Sequence, residues 1–520
     1  MNGPNDSGNS RTIFLASFLT IFAAGVGFAV RGAILNDWAD QYGFTKTDLG
    51  TITGGGLVGF GIVIIISSLF LDKVGYKPIL MLAFLLHLLS AVLTLAATPV
   101  YNSMGQSATF SCLYWGMFLF SIGNGLCEAA VNPLVATLYP RQKTHYLNIL
   151  HASWPGGLIA GGLLAYCFCG GEPAVKKLPW EIPMGMFIVP VLLYGLMIAT
   201  KKLPESEASA AGVSTGQMLA QFASPILLLL LVIHAMVGYV ELGTDSWITN
   251  IMENVVKENA IVLFMYTSAL MFVLRFFAGP IVERINPLGL LCVSGVLGYV
   301  GLTMLSKADA IGAAFVAASV YALGKTFLWP TMLGVAGERF PRGGAIVMGT
   351  MGGIGMLSAG LLGGPLIGYK QDYYASENLK TASSQTYDRY KAEGENRPLP
   401  IVPAIAGLDG AKVGVLKNDG KDLAEDYKIV QEAKEKPKSA AEVEKLHKWW
   451  VEQGRPNAAT DKPPVEAAGI FGGRKALEIT AYVPAAMAVL YLLLVLYFRM
   501  TGGYKQVEIH HQAEGAMSEL

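Results

Sequence analysis

Long apolar runs alternate with short polar connections along most of this chain. A helix crossing a bilayer needs about 20 mostly apolar residues. Twelve segments meet that requirement: 12–35, 50–71, 78–98, 108–138, 145–169, 182–200, 222–248, 259–282, 288–306, 311–333, 344–369 and 476–499. The polar stretch KKLPESEASAAGVSTGQ (201–217) divides them six and six. The first run starts after eleven polar residues and outlasts a signal-peptide core, so it reads as a membrane helix. The pattern predicts an all-α integral membrane protein. Its parts would be an N-terminal bundle (1–200), a central linker (201–221) and a C-terminal bundle (222–520).

One stretch departs from the pattern. Residues 370–475 are charged and include KDLAEDYKIVQEAKEKPKSAAEVEKLHKWWVEQGR (421–455), which reads partly as helix. It is expected to be either a solvated insertion or a lid, with Trp449 and Trp450 at the membrane interface. Basic residues fix the orientation. Arg11, Lys73, Lys77, Arg141, Lys143, Lys201, Lys202, Arg284, Arg339, Arg342, Arg499 and Lys505 flank one side. Lys46, Lys176, Lys177, Lys257 and Lys307 flank the other. That asymmetry predicts cytoplasmic termini in a plasma membrane, a bacterial inner membrane, with the insertion outside.

The two halves repeat. SLFLDKVGYKP (68–78) aligns with GPIVERINPLG (279–289): Asp72 falls on Glu283, Lys73 on Arg284 and Gly75 on Asn286. The same register aligns VGF (26–28) with VGY (237–239). Matching Pro133 to Pro330 places Glu128 on Lys325.

Composition supports the membrane reading. Hydrophobic residues are 53% and charged residues 15%, against about 25% charged in soluble proteins. The net charge is zero, which offers nothing to a nucleic acid. Cys112, Cys127, Cys167, Cys169 and Cys292 lie in apolar runs and read as small buried residues. No nucleophile elbow, phosphate loop or metal-ligand spacing is present, so neither an enzyme nor a bound cofactor is expected.

Ionisable groups inside membrane segments are costly and mark function by default. The candidates are Arg31, Glu128, Glu241, Asp245, Arg275 and Lys325, joined by His151, Trp154 and Trp329. Asn132 follows Glu128 by four residues and shares its face. With Pro133, that face is expected to look into a water-accessible cavity. Glu128 is either a proton-exchanging carboxylate or half of a permanent salt bridge. Arg31 is either a ligand for an anionic substrate group or the ion-pair partner of Glu128 or Glu241. Glu241 and Asp245 share a face, expected near the outer end of helix seven. Arg275 is expected beside the loop motif, supporting the cytoplasmic gate. The remaining histidines, His234 included, read as satisfied or solvated.

The chain resembles the major facilitator superfamily, whose loop motif Gly-x-Leu-Ala-Asp-Arg-x-Gly-Arg-Lys stands here as Ser68-Leu69-Phe70-Leu71-Asp72-Lys73-Val74-Gly75-Tyr76-Lys77. The motif calls for a close helix approach at Ser68 and a helix-end carboxylate at Asp72 with basic partners. Asp72, Lys73, Gly75, Arg275, Glu283 and Arg284 are thereby expected to form the gate. GLCEAAVNPLVATLYP and LNILHASWPGG are similar to the fucose–galactose–glucose proton symporters, which carry Glu-x-x-x-Asn-Pro in helix four. The resemblance implies sugar contacts at His151 and Trp154 and proton coupling at Glu128. Arg31 stands where that family has an acid, which leaves coupling through Glu128 alone, sodium coupling or simple facilitation. The family also implies that the glycine rows Gly55/Gly59, Gly157/Gly161 and Gly349/Gly353 lie between the halves. The expectation is a proton-coupled carrier of a small polar solute, a sugar, working as a monomer. A drug–proton antiporter of the same fold and a non-transporting receptor are the alternatives.

Overall fold

The computed structural model describes residues 4–44, 46–53, 56–168, 178–256, 260–432 and 440–509. Gly55, Cys169, Lys176, Lys177 and Lys257 lie outside them. Among the described residues there is no strand, only two isolated bridges in the insertion.

Among the described residues twelve helical stretches fit the twelve-helix pattern, and ten helices are long and apolar enough to cross a membrane. The first six are α1 (Pro4–Ala33), α2 (Gly56–Val74), α3 (Tyr76–Leu95), α4 (Ala97–Leu138), α5 (Lys143–Phe168) and α6 (Glu181–Thr200). The second six begin with α7 (225–256), made of Pro225–Gly238, a π-helical turn Tyr239–Gly243, and Thr244–Val256. Next come α8 (Ala260–Arg275), α9 (Ala278–Lys307) and α10 (Ile311–Arg339, interrupted at Thr326–Phe327). Then α11 (344–382) has its own π turn at Ala359–Gly363, and α12 is Arg455–Met500. An even number of crossings puts both termini on one face, here the terminal face.

The repeat is visible in the backbone. Gly75, which starts α3, has φ 87° and ψ 162°. Its counterpart Asn286, inside α9, has φ 54° and ψ 168°. That region is nearly glycine-only, and it costs a residue with a side chain about 1–3 kcal/mol to occupy it. Two halves bending at the same place, once under strain, support the sequence register.

The second register is corrected. Cap residues Tyr139 (φ −127°, ψ 63°) and Phe340 (φ −126°, ψ 51°) end α4 and α10 alike, and each precedes a proline. Counting back from those ends sets Glu128 against Trp329, not Lys325. The two prolines fall out of a common frame because Pro133 lies six residues before its cap residue and Pro330 ten before its own.

Small residues set the helix spacing. A Cβ on Gly157 of α5 would sit 2.3 Å from the Phe22 carbonyl of α1, and one on Gly238 of α7 would sit 2.0 Å from the Gly355 carbonyl of α11. The Gly157/Gly161 row therefore packs within one half, against α1, rather than between halves. One contact between halves runs along α2 and α11, where Gly61 and Ser68 meet Gly353 and Gly349, and another packs α5 on α8, where Gly156 meets Phe272.

The insertion has a core of its own, centred on Leu379, Tyr390, Leu416, Trp449 and Ala468. Trp449 and Trp450 are 9% and 7% exposed. They pack inside this unit rather than at a membrane interface, because four short helices fold around them. Both ends of the 370–475 stretch are continuations of α11 and α12. Asp461 on α12, fully buried, accepts from Arg389 Nε at 2.8 Å and from the Thr386 hydroxyl at 2.9 Å.

Candidate functional site

α4 supplies a carboxylate and an amide from one face. Asn132 Nδ2 donates to Glu128 Oε2 (2.8 Å) and to the Glu128 carbonyl (2.9 Å). The second bond ties the amide to the helix just before Pro133, where the regular ladder is broken. Asn132 Oδ1 is 2.9 Å from His151 Nε2 of α5, so that imidazole nitrogen carries the proton and donates. His151 Nε2 lies 3.9 Å from Glu128 Oε2. All three residues are buried. The polar face looks toward the second half of the protein rather than into open water.

Arg275 of α8 crosses that boundary. Its Nη1 donates to the His151 carbonyl at 2.7 Å, its Nη2 to Glu241 Oε1 at 3.0 Å, and its Nε to the Thr326 carbonyl at 2.8 Å. One guanidinium thereby joins α5, α7 and α10. Arg275 also lies within electrostatic range of Glu128. The expectation that Arg275 stands beside the loop motif is corrected. The break at Phe276–Phe277 ends α8 one turn short of the motif, and the side chain is 2% exposed in the interior.

Glu241 is corrected in the same way. It lies halfway along α7, not near its outer end, because α7 runs to Val256. It sits in the π-helical turn, a backbone form that recurs at functional positions. Glu241 Oε2 is buried and has no hydrogen-bond partner among the described residues. Lys325 Nζ binds both oxygens of Asp245 at 2.6 Å, so the two acidic residues of α7 take different cations. The Trp329 ring lies 4.7 Å from that of His234. Trp154 is half-buried beside Phe28 of α1, 5.8 Å between rings.

Arg31 does not join this group. Its guanidinium lies 4.0 Å over Phe120 and 4.7 Å over Phe187. It donates to Ser90 Oγ (3.0 Å) and the Gly27 carbonyl (3.2 Å). Among the described residues it has no carboxylate partner. The expected ion pair with Glu128 or Glu241 is therefore corrected: α1 turns Arg31 into its own bundle, toward α3, α4 and α6. His87 there is satisfied by Tyr194 and Asn124. His234 is not, for both ring nitrogens are buried and unpartnered among the described residues.

The residues expected to form the gate divide between two settings. Asp72 Oδ2 accepts from the Ala345 amide at 3.0 Å, capping the N-terminus of α11 from the other half, where a carboxylate meets the positive end of the helix. This replaces the basic partner expected for Asp72. Lys73, Glu283 and Arg284 are exposed. Nearby, Lys143 Nζ binds Glu207 of the linker (2.6 Å) and the Gly337 carbonyl (3.0 Å). The Thr144 hydroxyl binds Glu338 (2.6 Å), which also accepts from Tyr504 (2.7 Å) and, through its carbonyl, from the Val507 amide (2.8 Å). The halves are thus tied together on the terminal face.

Two six-helix halves, a shared buried polar centre and a breakable set of ties on one face define a two-lobed membrane transporter. The chain belongs to the Major Facilitator Superfamily, which matches residues 13–364. It is 25% identical over 148 residues to the L-fucose-proton symporter of Escherichia coli (strain K12). That match covers 28% of this chain and 32% of the symporter, so it spans about a third of that relative. The fold is similar to that of FucP in the outward conformation: TM-score 0.57, 17% identity, 69% of this chain and 92% of that one. It is also similar to the proton:xylose symporter XylE bound to 6-bromo-6-deoxy-D-glucose: TM-score 0.57, 14% identity, 74% and 90% covered. A bacterial homologue of the human lysosomal transporter Spinster, inward-facing and unoccupied, has TM-score 0.57 and 14% identity over 95% of this chain and 97% of its own. At these identities the likeness to the solved structures is one of fold.

Proposed function

We propose that this transporter moves a small polar solute, a sugar, across the bacterial inner membrane in symport with protons. Both termini would be cytoplasmic and the insertion would lie outside. The observation that carries the coupling is a charge imbalance. Three carboxylates, Glu128, Glu241 and Asp245, share the centre with two cations, Arg275 and Lys325. Arg275 takes Glu241 and Lys325 takes Asp245. Glu128 is held by an amide and an imidazole. An isolated buried carboxylate is costly to keep charged, so one proton on Glu128 balances the site.

That proton also bears on the contact between halves. With Glu128 neutral, Arg275 is left to Glu241 and the His151 carbonyl. With Glu128 ionised, a second anion competes for the same guanidinium. Loading and unloading the proton therefore changes the bond that crosses the two halves, which alternating access requires. Sugar recognition is supported by the neutral hydrogen-bonding groups of Asn132 and His151, by the indole of Trp154 one turn along α5, and by that of Trp329 on α10.

The test is reconstitution in proteoliposomes. Wild type is expected to accumulate a sugar when a pH gradient is imposed and to ignore a sodium gradient. Glu128→Gln is expected to lose accumulation yet still exchange labelled for unlabelled sugar. Accumulation by Glu128→Gln equal to wild type sinks the proposal, and sodium-driven uptake replaces the proton with sodium.

A further inference from the structure

His234 lies on α7 seven residues before Glu241, and it is fully buried. An imidazole always presents hydrogen-bonding capacity at both nitrogens, and neither Nδ1 nor Nε2 has a partner among the described residues. Buried polar groups are nearly always satisfied, so an orphan of this kind calls for an explanation. The surroundings supply one. The ring lies 4.7 Å from Trp329 of α10 at an angle of 55°. Gly355 of α11 backs both: a Cβ there would come within 2.6 Å of Trp329 and 3.0 Å of His234. His151, across the boundary between halves, is within electrostatic range. On the same helix, Glu241 Oε2 is a second buried acceptor without a partner among the described residues.

We infer that His234 is a substrate-binding residue of the C-terminal half, hydrogen-bonding hydroxyls of a neutral sugar whose apolar face rests on Trp329. A neutral imidazole donates at one nitrogen and accepts at the other. A hydroxyl group does both, so a polyol satisfies this ring where a carboxylate or an ammonium would satisfy only one nitrogen. The indole gives the flat apolar surface that a pyranose C–H face fits. Glycine at 355 leaves room for both rings, since a Cβ there would meet each of them. The assignment rests on the sugar reading above and adds to it a determinant of which sugar is preferred.

The experiment uses the full chain in proteoliposomes under an imposed pH gradient, with radiolabelled L-fucose, D-galactose, D-glucose and D-xylose as probes. For the best of these, His234→Leu is expected to raise KM about tenfold, equivalent to about 1.4 kcal/mol, the size of a hydrogen bond lost on binding. Turnover at saturation should stay within about twofold, because the ion pairs of the centre are untouched. His234→Gln, which keeps a donor and an acceptor, should recover most of the affinity. The preference between D-galactose and D-glucose, which differ at one hydroxyl, should shift in His234→Leu. If His234→Leu does not purify as a monodisperse protein, His234→Asn replaces it: polar but too short to reach, it should show the same rise in KM. Wild-type uptake with KM and preference unchanged in the variants overturns the assignment and leaves the sugar reading standing. A fall in turnover at constant KM overturns it equally, since that marks a structural role. Wild type taking up none of the four overturns both.

Discussion

Arg275 and Arg31 show what residue-level sequence reading reaches and where it stops. Both are arginines in apolar runs, and hydropathy treats them alike. The first bonds three elements from two halves. The second lies between two phenylalanine rings in one bundle, with its charge met by π faces and a hydroxyl. Which way each points depends on helix rotation, and that is set by packing on either side. Arg275→Gln leaves Glu241 buried without its cation, at about 3–5 kcal/mol, and should lower the melting temperature in detergent well below wild type. Adding Glu241→Gln should recover much of that loss. A single variant that melts like wild type excludes the ion pair as described. Arg31→Met should keep pH-gradient-driven uptake; loss of coupling with normal folding would return Arg31 to the site. The Glu128–Asn132 pair was legible, because an (i, i+4) pair on one face needs only helical periodicity, whereas His151 entered through the family resemblance. His234 was not legible, since a lone histidine carries no spacing.

At the scale of elements, the least legible features are the π turns within α7 and α11. Tyr239–Gly243 and Ala359–Gly363 face each other, and Gly243 and Gly363 touch through their backbones. Each turn adds a residue that hydropathy cannot see and rotates the helix beyond it, which is how Glu241 and Asp245 come to different cations. The bend at Gly75 and Asn286 was legible because the same motif occurs twice in one frame. The α4–α10 frame was not, because one proline is a weak anchor beside a helix interruption. Gly238→Ala should be destabilising by about 1–3 kcal/mol, the range for overpacking, because its Cβ meets a backbone carbonyl. Gly59→Ala is the control, since nothing lies within 4 Å of a Cβ at that position. Thermal unfolding of the two in one detergent decides. Equal melting temperatures would show that α7 and α11 do not approach as closely as described.

For the whole molecule, the twelve-helix, all-α fold was written in the alternation of apolar and polar segments. The ties on the terminal face were not, because they depend on distant segments arriving together. The linker brings Glu207 to Lys143, and the C-terminal tail brings Tyr504 and Val507 to Glu338. Gln506 also reaches the Pro140 carbonyl of the first half. Ending the chain at Thr501 removes the tail's share of these contacts. The shortened transporter should label faster than the full chain at a cysteine placed at Thr144, with thiol reagent applied from the terminal face. Equal labelling rates would mean that the tail does not help to hold the halves shut.

The run of α12 from Arg455 to Met500 has a mechanical consequence. Forty-six residues at about 1.5 Å each make a rod of about 69 Å, more than twice the hydrocarbon thickness of about 30 Å. α11 lies against it as far as Ala382, and the Arg389–Asp461 pair clamps the insertion to the end of the rod. The insertion is therefore carried on extensions of two helices of the second bundle, beyond the hydrocarbon span. Pro463, Pro464 and Pro484 lie along this helix, where each removes a ladder hydrogen bond and favours a bend. A fluorophore on exposed Ile401, paired with one near Gly43, would read each half-cycle of the transporter as a change in distance.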